Sequence, residues 1–574
     1  MPFPLFSGLS SLRTIGRAVG GYSLVCDVLG LAAVIAALVA PGSVWVHILL
    51  WLVALLVVAP SLRTVVLEAR GEGSAPLAMG TATMARVLVT LAGLAILVQL
   101  PEPGLGVVAS ILLCLLVVGE QAMRRAVRSA VPQAANIPGW DVLLPSVALA
   151  NWLFAANTAG LVLVAAVATL GLTAWLPLLA AVAGIVLAGM IAGQVIRYLS
   201  GRNRFEANLP TILKKLGPVF AFHWQAPVGT AYQATMWLPY LARLGVPYFI
   251  LVRTIANFEE VSRLTDAPVI LRIGLEDLDP IVCPSLKAVF YANTAVRNSH
   301  MIRFPALTHI QLNHGDSDKI ASVSPTFRQY DKNFVAGQAA IDRFAKHGVA
   351  TRADQFVIVG RPQLEHVERV VPGQPLPAAP TVLYSPTWSG FYEDSDYSSL
   401  VAGPDIVEAL LRRGCTVIFR PHPYARRHKG NSDACDRIIA LLTEDAAQTG
   451  RAHVHGVAAE TDWSVVDCFN ACDAMVSDVS SLVSDFLISG KPFAMGAVSA
   501  HGPAFVEEFP QAEAAYVIEI ENGSPVGIDE VLTDLLGADP KAATRESLRT
   551  YYLSDTPPEQ CVERFVSQAR AFLV

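Results

Sequence analysis

Two histidines stand where an imidazole can do chemistry. In NHGDSDK (313–319), His314 closes an apolar run and Gly315 after it allows a sharp turn, so the ring can point into a cleft. Its proton affinity near neutrality suits it to taking the proton of an attacking hydroxyl. In RPHPY (420–424), His422 is held between Pro421 and Pro423, each of which fixes φ, with Arg420 beside them. A rigid imidazole next to a guanidinium suits a phosphate or a departing nucleotide. In SDVSSLVSDF (477–486) an apolar run meets Asp478 and then a helix start at Ser480 and Ser481. Hydroxyls and free backbone N–H groups there make an anion site, although the same geometry also serves as a simple N-cap. GRPQ (360–363) and SPTW (385–388) put Arg361 and Thr387 at two further strand ends.

Other patterns carry less. Asp316-Ser-Asp318 and Asp394-Ser-Asp396 match a metal-binding DxD pattern, but three residues recur by chance and no metal is expected. The eight cysteines show no CxxC and no Cys/His clustering at metal-ligand spacing, which reads as reduced thiols. No cofactor is expected. YARRHK (424–429) is most simply a solvated loop.

These segments need strand ends to hold them. From residue 205 the chain alternates short apolar runs with amphipathic stretches, the pattern of parallel α/β sheets. Strands are expected at 218–224, 246–252, 267–272, 287–292, 308–314 and 355–360. After the Pro-rich stretch VVPGQPLPAAP (370–380), a second series falls at 381–386, 415–423, 452–456, 473–478, 492–497 and 515–521. This predicts two Rossmann-like domains of GT-B type, 205–371 and 380–574, with C-terminal helices and a ligand cleft between the domains.

Residues 1–204 are a different material. They hold only 17 of the 90 Asp, Glu, Lys and Arg residues, 11 Arg and 6 acids for a net charge of +5, whereas the rest of the chain is at −11. Apolar runs near 22–40, 44–62, 87–100 and 105–119, with two more inside the uncharged stretch 142–196, predict about six transmembrane helices. The third and fourth are short, so a re-entrant hairpin is the alternative there. Alternate connections carry Arg13, Arg17, Arg63, Arg70, Arg86, Arg124, Arg125, Arg128, Arg197, Arg202, Arg204, Lys214 and Lys215; those around 41–43, 101–104 and 171–174 carry neither Lys nor Arg. The positive-inside rule then places a multi-pass protein in the cell membrane with its catalytic half cytoplasmic. Apart from Asp27, the presumed spans read as free of ionisable groups, which argues against a polymer pathway through them. An overall charge of −6 argues against a nucleic-acid partner.

Taken together, HGDSDK, PTFR (325–328), GRPQ, SPTW, RPHPY and SDVSSLVSDF occur in an order and spacing that resembles the CDP-glycerol glycerophosphotransferases, the teichoic-acid polymerase family of bacterial cell-wall synthesis. The resemblance covers about 290–500 and is absent from 1–204. It implies that the family's two essential histidines correspond to His314 and His422, and its phosphate-binding helix start to Asp478, Ser480 and Ser481. It further implies CDP-glycerol as donor, bound by 380–574 as the donor side, a lipid-linked polyol-phosphate or glycan acceptor approaching from 205–371 as the acceptor side, and CMP as product. Departures are Asp316-Ser317, where the family usually has Thr-Pro, and Arg420, where it usually has Lys; the first bears on the acceptor. The alternatives are a nucleotide-sugar GT-B glycosyltransferase acting on a lipid-linked acceptor, and a non-enzymatic export or transport subunit with a nucleotide-sensing domain.

Overall fold

The structure, a computed structural model, describes residues 21–69, 77–371, 374–390 and 396–574. They divide into two units, Met1–Gln133 with Gly139–Asn208, and Ala134–Pro138 with Leu209–Val574.

The first unit is helical. Its elements are α1 (Gly21–Val39), α2 (Val44–Ala69), α3 (Thr83–Leu97), α4 (Gly104–Ser129), α5 (Val147–Leu170) and α6 (Trp175–Leu216), the last running through residue 204. Local sequence sets the ends. Ser146 caps α5 by accepting from the Leu149 N–H at 3.2 Å, and Gly171 ends it in the left-handed region at φ 68°. Small residues let the helices approach: a Cβ on Gly93 would lie 2.8 Å from Val164, and one on Gly160 2.6 Å from Leu113. Among the described residues, α1, α4, α5 and α6 are long and apolar enough to cross a membrane, whereas α3 and the apolar stretch Val44–Ala59 of α2 are shorter.

One expectation for this unit is corrected. Arg86 is not a loop cation but a fully buried residue of α3, in a two-armed ion pair with Glu120 of α4 at 2.6 and 2.8 Å. The Asn157 amide and the Gly80 N–H also donate to Glu120, at 2.7 and 2.9 Å, and the Phe154 ring lies 4.4 Å from the guanidinium carbon. The helices therefore do carry ionisable groups besides Asp27. Sequence alone placed Arg86 just before an apolar run and Glu120 just after one, and their pairing is tertiary.

The second unit holds two sheets. The first runs β1 (Ala134–Ala135), β4 (Val269–Leu271), β3 (Tyr248–Val252), β2 (Phe220–Trp224), β5 (Ala288–Tyr291), β6 (Thr308–Gln311), β7 (Lys332–Val335), β8 (Phe356–Ile358), parallel except for β1 against β4. The order reverses direction between β2 and β5. The second runs β10 (Thr416–Phe419), β9 (Thr381–Ser385), β11 (Ala474–Ser477), β12 (Phe493–Ala497), β13 (Tyr516–Glu521), β14 (Ser524–Val526), with only β14 antiparallel, and it reverses between β9 and β11. In doubly wound sheets that reversal opens a crevice at the C-terminal strand ends. Both faces of the second sheet are buried, which the period of two dictates: Leu383, Met475 and Met495 enter one core, and Val382, Tyr384 and Val476 the other.

Candidate active site

His314 lies three residues beyond the end of β6. Its Nδ1 is 2.9 Å from the carbonyl oxygen of Ala292, the residue that follows β5 at the reversal of the first sheet. A carbonyl only accepts, so Nδ1 carries the hydrogen and the neutral ring presents a bare lone pair at Nε2. Asn313 before it adopts the left-handed region at φ 60°, and its carbonyl accepts from the Trp237 indole at 2.5 Å. The Tyr232 ring meets the imidazole edge-on at 6.3 Å. Burial lowers the proton affinity of His314, as does the Arg361 charge.

His422 has the opposite tautomer. The Tyr424 N–H donates to its Nδ1 at 3.0 Å, so the neutral ring carries its hydrogen on Nε2. Its own N–H bonds Pro386 at 3.0 Å, and its ring lies at 24° to the Trp388 ring, with centroids 6.1 Å apart. Burial, then the charges of Lys319 and of His314, push its pKa down to about 3. It stays neutral at any physiological pH.

Asp478 follows β11 and Thr387 lies just past β9, so they meet at the reversal of the second sheet. The buried Asp478 carboxylate accepts from the Thr387 N–H at 3.0 and 3.1 Å, and from the Ser399 N–H and hydroxyl at 2.9 and 3.0 Å. Burial raises its pKa to about 6 against the opposing effect of Lys319 and of those bonds. Asp478 thus holds the β9 loop in place. Ser480 is the N-cap of the helix Ser481–Phe486, accepting from the Leu482 N–H at 3.3 Å. Ser481 packs on Gly315: a Cβ there would lie 2.7 Å from its Oγ, so the His314 loop approaches this helix as only glycine permits.

The two arginines are committed to protein partners. Arg361 donates both arms to Asp485 at 2.9 Å each, with about 8% of either side chain exposed, tying the end of the first sheet's last strand to the helix Ser481–Phe486. Arg420 donates through Nη1 to the carbonyls of Ala459 and, at 2.8 Å, Trp463. The DSD segment is occupied as well: Arg343 pairs with Asp316 and, at 3.0 Å, with Asp318, and the Tyr552 hydroxyl donates to Asp318 at 2.7 Å. Among the described residues no three His, Cys, Asp or Glu gather as metal ligands; Asp394 lies outside them.

Contacts link these segments one to the next: Gly315 beside His314 meets Ser481, Asp478 holds the Thr387 N–H, the His422 N–H reaches Pro386 next to Thr387, Arg361 pairs with Asp485, and Arg420 braces the 459–463 segment. Lys319 was missed. It ends the HGDSDK segment, its Nζ donates to Thr387 Oγ1 at 2.9 Å, and it lies 5.4 Å from the Tyr397 ring centre. A lysine five residues past a candidate base was the available signal.

Two mainly parallel α/β sheets, each with a reversal of strand order, define a two-Rossmann fold of GT-B type. Residues 363–500 match the model of the CDP-Glycerol:Poly(glycerophosphate) glycerophosphotransferase family. That match includes His422 and Asp478, stops short of His314 and covers about a quarter of the chain. No curated protein matches the chain in sequence. Among solved structures, the wall teichoic acid polymerase TagF is similar at 12% identity over 64% of this chain and 94% of its own, with a TM-score of 0.40. A putative UDP-N-acetylglucosamine 2-epimerase from Listeria monocytogenes is similar at 10% identity, over 62% and 96%, with a TM-score of 0.41. HepE of Anabaena, in complex with UDP and glucose, is similar at 12% identity, over 61% and 99%, with a TM-score of 0.37.

Proposed function

We propose that this protein is a multi-pass membrane enzyme that moves glycerol phosphate from cytoplasmic CDP-glycerol to a hydroxyl of a lipid-linked polyol-phosphate or glycan acceptor, releasing CMP. The observation that carries this reading is the pair of opposite tautomers. The His314 Nε2 lone pair takes the proton of the acceptor hydroxyl as its oxygen attacks the β-phosphorus. The bond from that phosphorus to the bridging oxygen breaks, its electron pair leaves with CMP, and the His422 Nε2–H donates to the phosphate oxygens that gain charge. Asp478 fixes the β9 loop beneath the donor, and the helix start at Ser480 and Ser481 faces the phosphates. The family match over 363–500 supports the donor, and the four long apolar helices support residence in a membrane.

Membranes containing the full chain should release CMP from CDP-glycerol when acceptor is supplied. His314→Ala and His422→Ala should each lower turnover at least about a hundredfold, the scale of losing a general base or a transition-state donor. Release of UDP from a UDP-hexose, with CDP-glycerol left intact under the same conditions, would replace this reading with a glycosyltransferase.

A further inference from the structure

A nucleoside diphosphate donor brings two phosphates into a cleft, and each needs cationic or N–H partners there. The cations around these segments are drawn into protein contacts to different degrees. Arg361 has both arms on Asp485, and Arg343 is shared between Asp316 and Asp318. Arg420 spends Nη1 on two backbone carbonyls, and the Lys491 ammonium is 2.7–3.3 Å from the carbonyls of Phe469, Asn470 and Cys472. Arg361, Arg343 and Lys491 are structural ties, and Arg420 is one through Nη1.

Lys319 differs. Its ammonium has three donors, and among the described residues one hydrogen bond accounts for it, to Thr387 Oγ1. The chain carries it from His314, on the first sheet, to the loop after β9, on the second. Its charge reaches both principal residues of that loop cluster: it opposes protonation of Asp478 and lowers the proton affinity of His422. Burial lowers its own affinity for a proton, and Asp478 followed by Asp396 opposes that. A desolvated ammonium with donors to spare, bonded to Thr387 at the reversal of a Rossmann sheet and close enough for its charge to act on His422, is built for an anion.

We propose that Lys319 is the cation of the donor-phosphate subsite, forming with the His422 Nε2–H the oxyanion site that carries the phosphate of the departing nucleotide. This rests on the donor reading given above and adds the residue that bears the charge. As the acceptor oxygen bonds to the β-phosphorus and its proton passes to His314, the electron pair of the broken P–O bond settles on the nucleotide's terminal oxygen, which Lys319 neutralises. Thr387 Oγ1, held through its backbone by Asp478, positions the ammonium.

Binding separates this subsite from the donor reading. Full-length protein in detergent is titrated calorimetrically with inorganic pyrophosphate, CMP and cytidine, as wild type, Lys319→Gln, Lys319→Met and Lys319→Arg, each checked by its melting temperature. The expected result is at least a tenfold loss of pyrophosphate and CMP affinity in the Gln and Met variants, an unchanged affinity for cytidine, and partial retention in the Arg variant. Turnover of the Gln variant should fall mainly through kcat/KM for the donor, with the acceptor KM kept. Wild type that does not bind pyrophosphate, or folded Gln and Met variants that bind it as wild type does, overturns the proposal. Pyrophosphate binding that depends on Lys319 while CMP is not bound leaves the subsite standing and removes the cytidine nucleotide as its ligand.

Discussion

An imidazole does different work according to which nitrogen the protein holds. The Ala292 carbonyl at Nδ1 makes His314 an acceptor at Nε2, and the Tyr424 N–H at Nδ1 makes His422 a donor there. The proton affinities agree with that division. Burial and Arg361 lower that of His314, so the base stays unprotonated to more acid pH than a free histidine would. Burial lowers that of Lys319 too, so the cation is lost at less alkaline pH than for a free lysine. With the proposed roles, activity should fall in acid as His314 gains its proton, and in alkali as Lys319 loses one. In kcat/KM for the donor measured against pH, the acid limb should lie below about 6.5 and the alkaline limb below about 10.4, the ordinary values of the two groups. With a pKa near 3, His422 adds no limb in the neutral range. An acid limb centred at or above the free-histidine value would remove His314 as the base.

The elements that hold these residues are joined by contacts no motif displays. The Thr387–Asp478 bond links positions 91 apart in sequence, and Arg361–Asp485 links positions 124 apart. Arg361→Ala leaves Asp485 buried without a partner, and breaking such a pair costs about 3–5 kcal/mol. The variant's melting temperature in detergent should drop accordingly, and the double variant with Asp485→Ala should lose less than the two single losses added together. Arg361→Ala melting with wild type would show that the pair does not tie the sheets. The strands themselves were legible, because a parallel strand buried on both faces is a continuous apolar run: β2, β3, β5, β9, β11 and β12 all lie inside expected runs. Polarity hid β7, where Lys332 and Asn333 replace apolar residues and Asn333 is buried by donating to the Phe327 carbonyl. Conversely, AHVHG at 452–456 reads as a strand but forms only the bridge Ile418–Val454. The site was legible where rigidity is local, as in the two prolines around His422. It was hidden where a side chain's partner lies in a distant segment, as with Arg361 on Asp485, Arg420 on the 459–463 carbonyls and Lys319 on Thr387.

At the scale of the molecule, charge and helix count bear on the side of the membrane proposed for the α/β half. Burial of Arg86 against Glu120 removes one cation from the positive-inside argument, and Arg13, Arg17 and Arg70 lie outside the described residues. What remains is consistent by itself. Arg125 and Arg128 are exposed near the C-terminal end of α4, and Arg197, Arg202 and Arg204 in the C-terminal half of α6, whereas the connections after α3 and α5 hold no Lys or Arg. Parity adds a second constraint. Whether all six helices cross or only the four long ones, the number is even, so the segments before α1 and after α6 share a side, and the arginine clusters support the proposal that this side is the cytoplasm. A reporter active only outside the cytoplasm should therefore be silent when fused after Val574 and active when inserted between Gly171 and Ala174, in the short connection from α5 to α6. Activity of the C-terminal fusion would require an odd number of crossings and would place His314, Lys319 and His422 on the side that a cytoplasmic nucleotide does not reach.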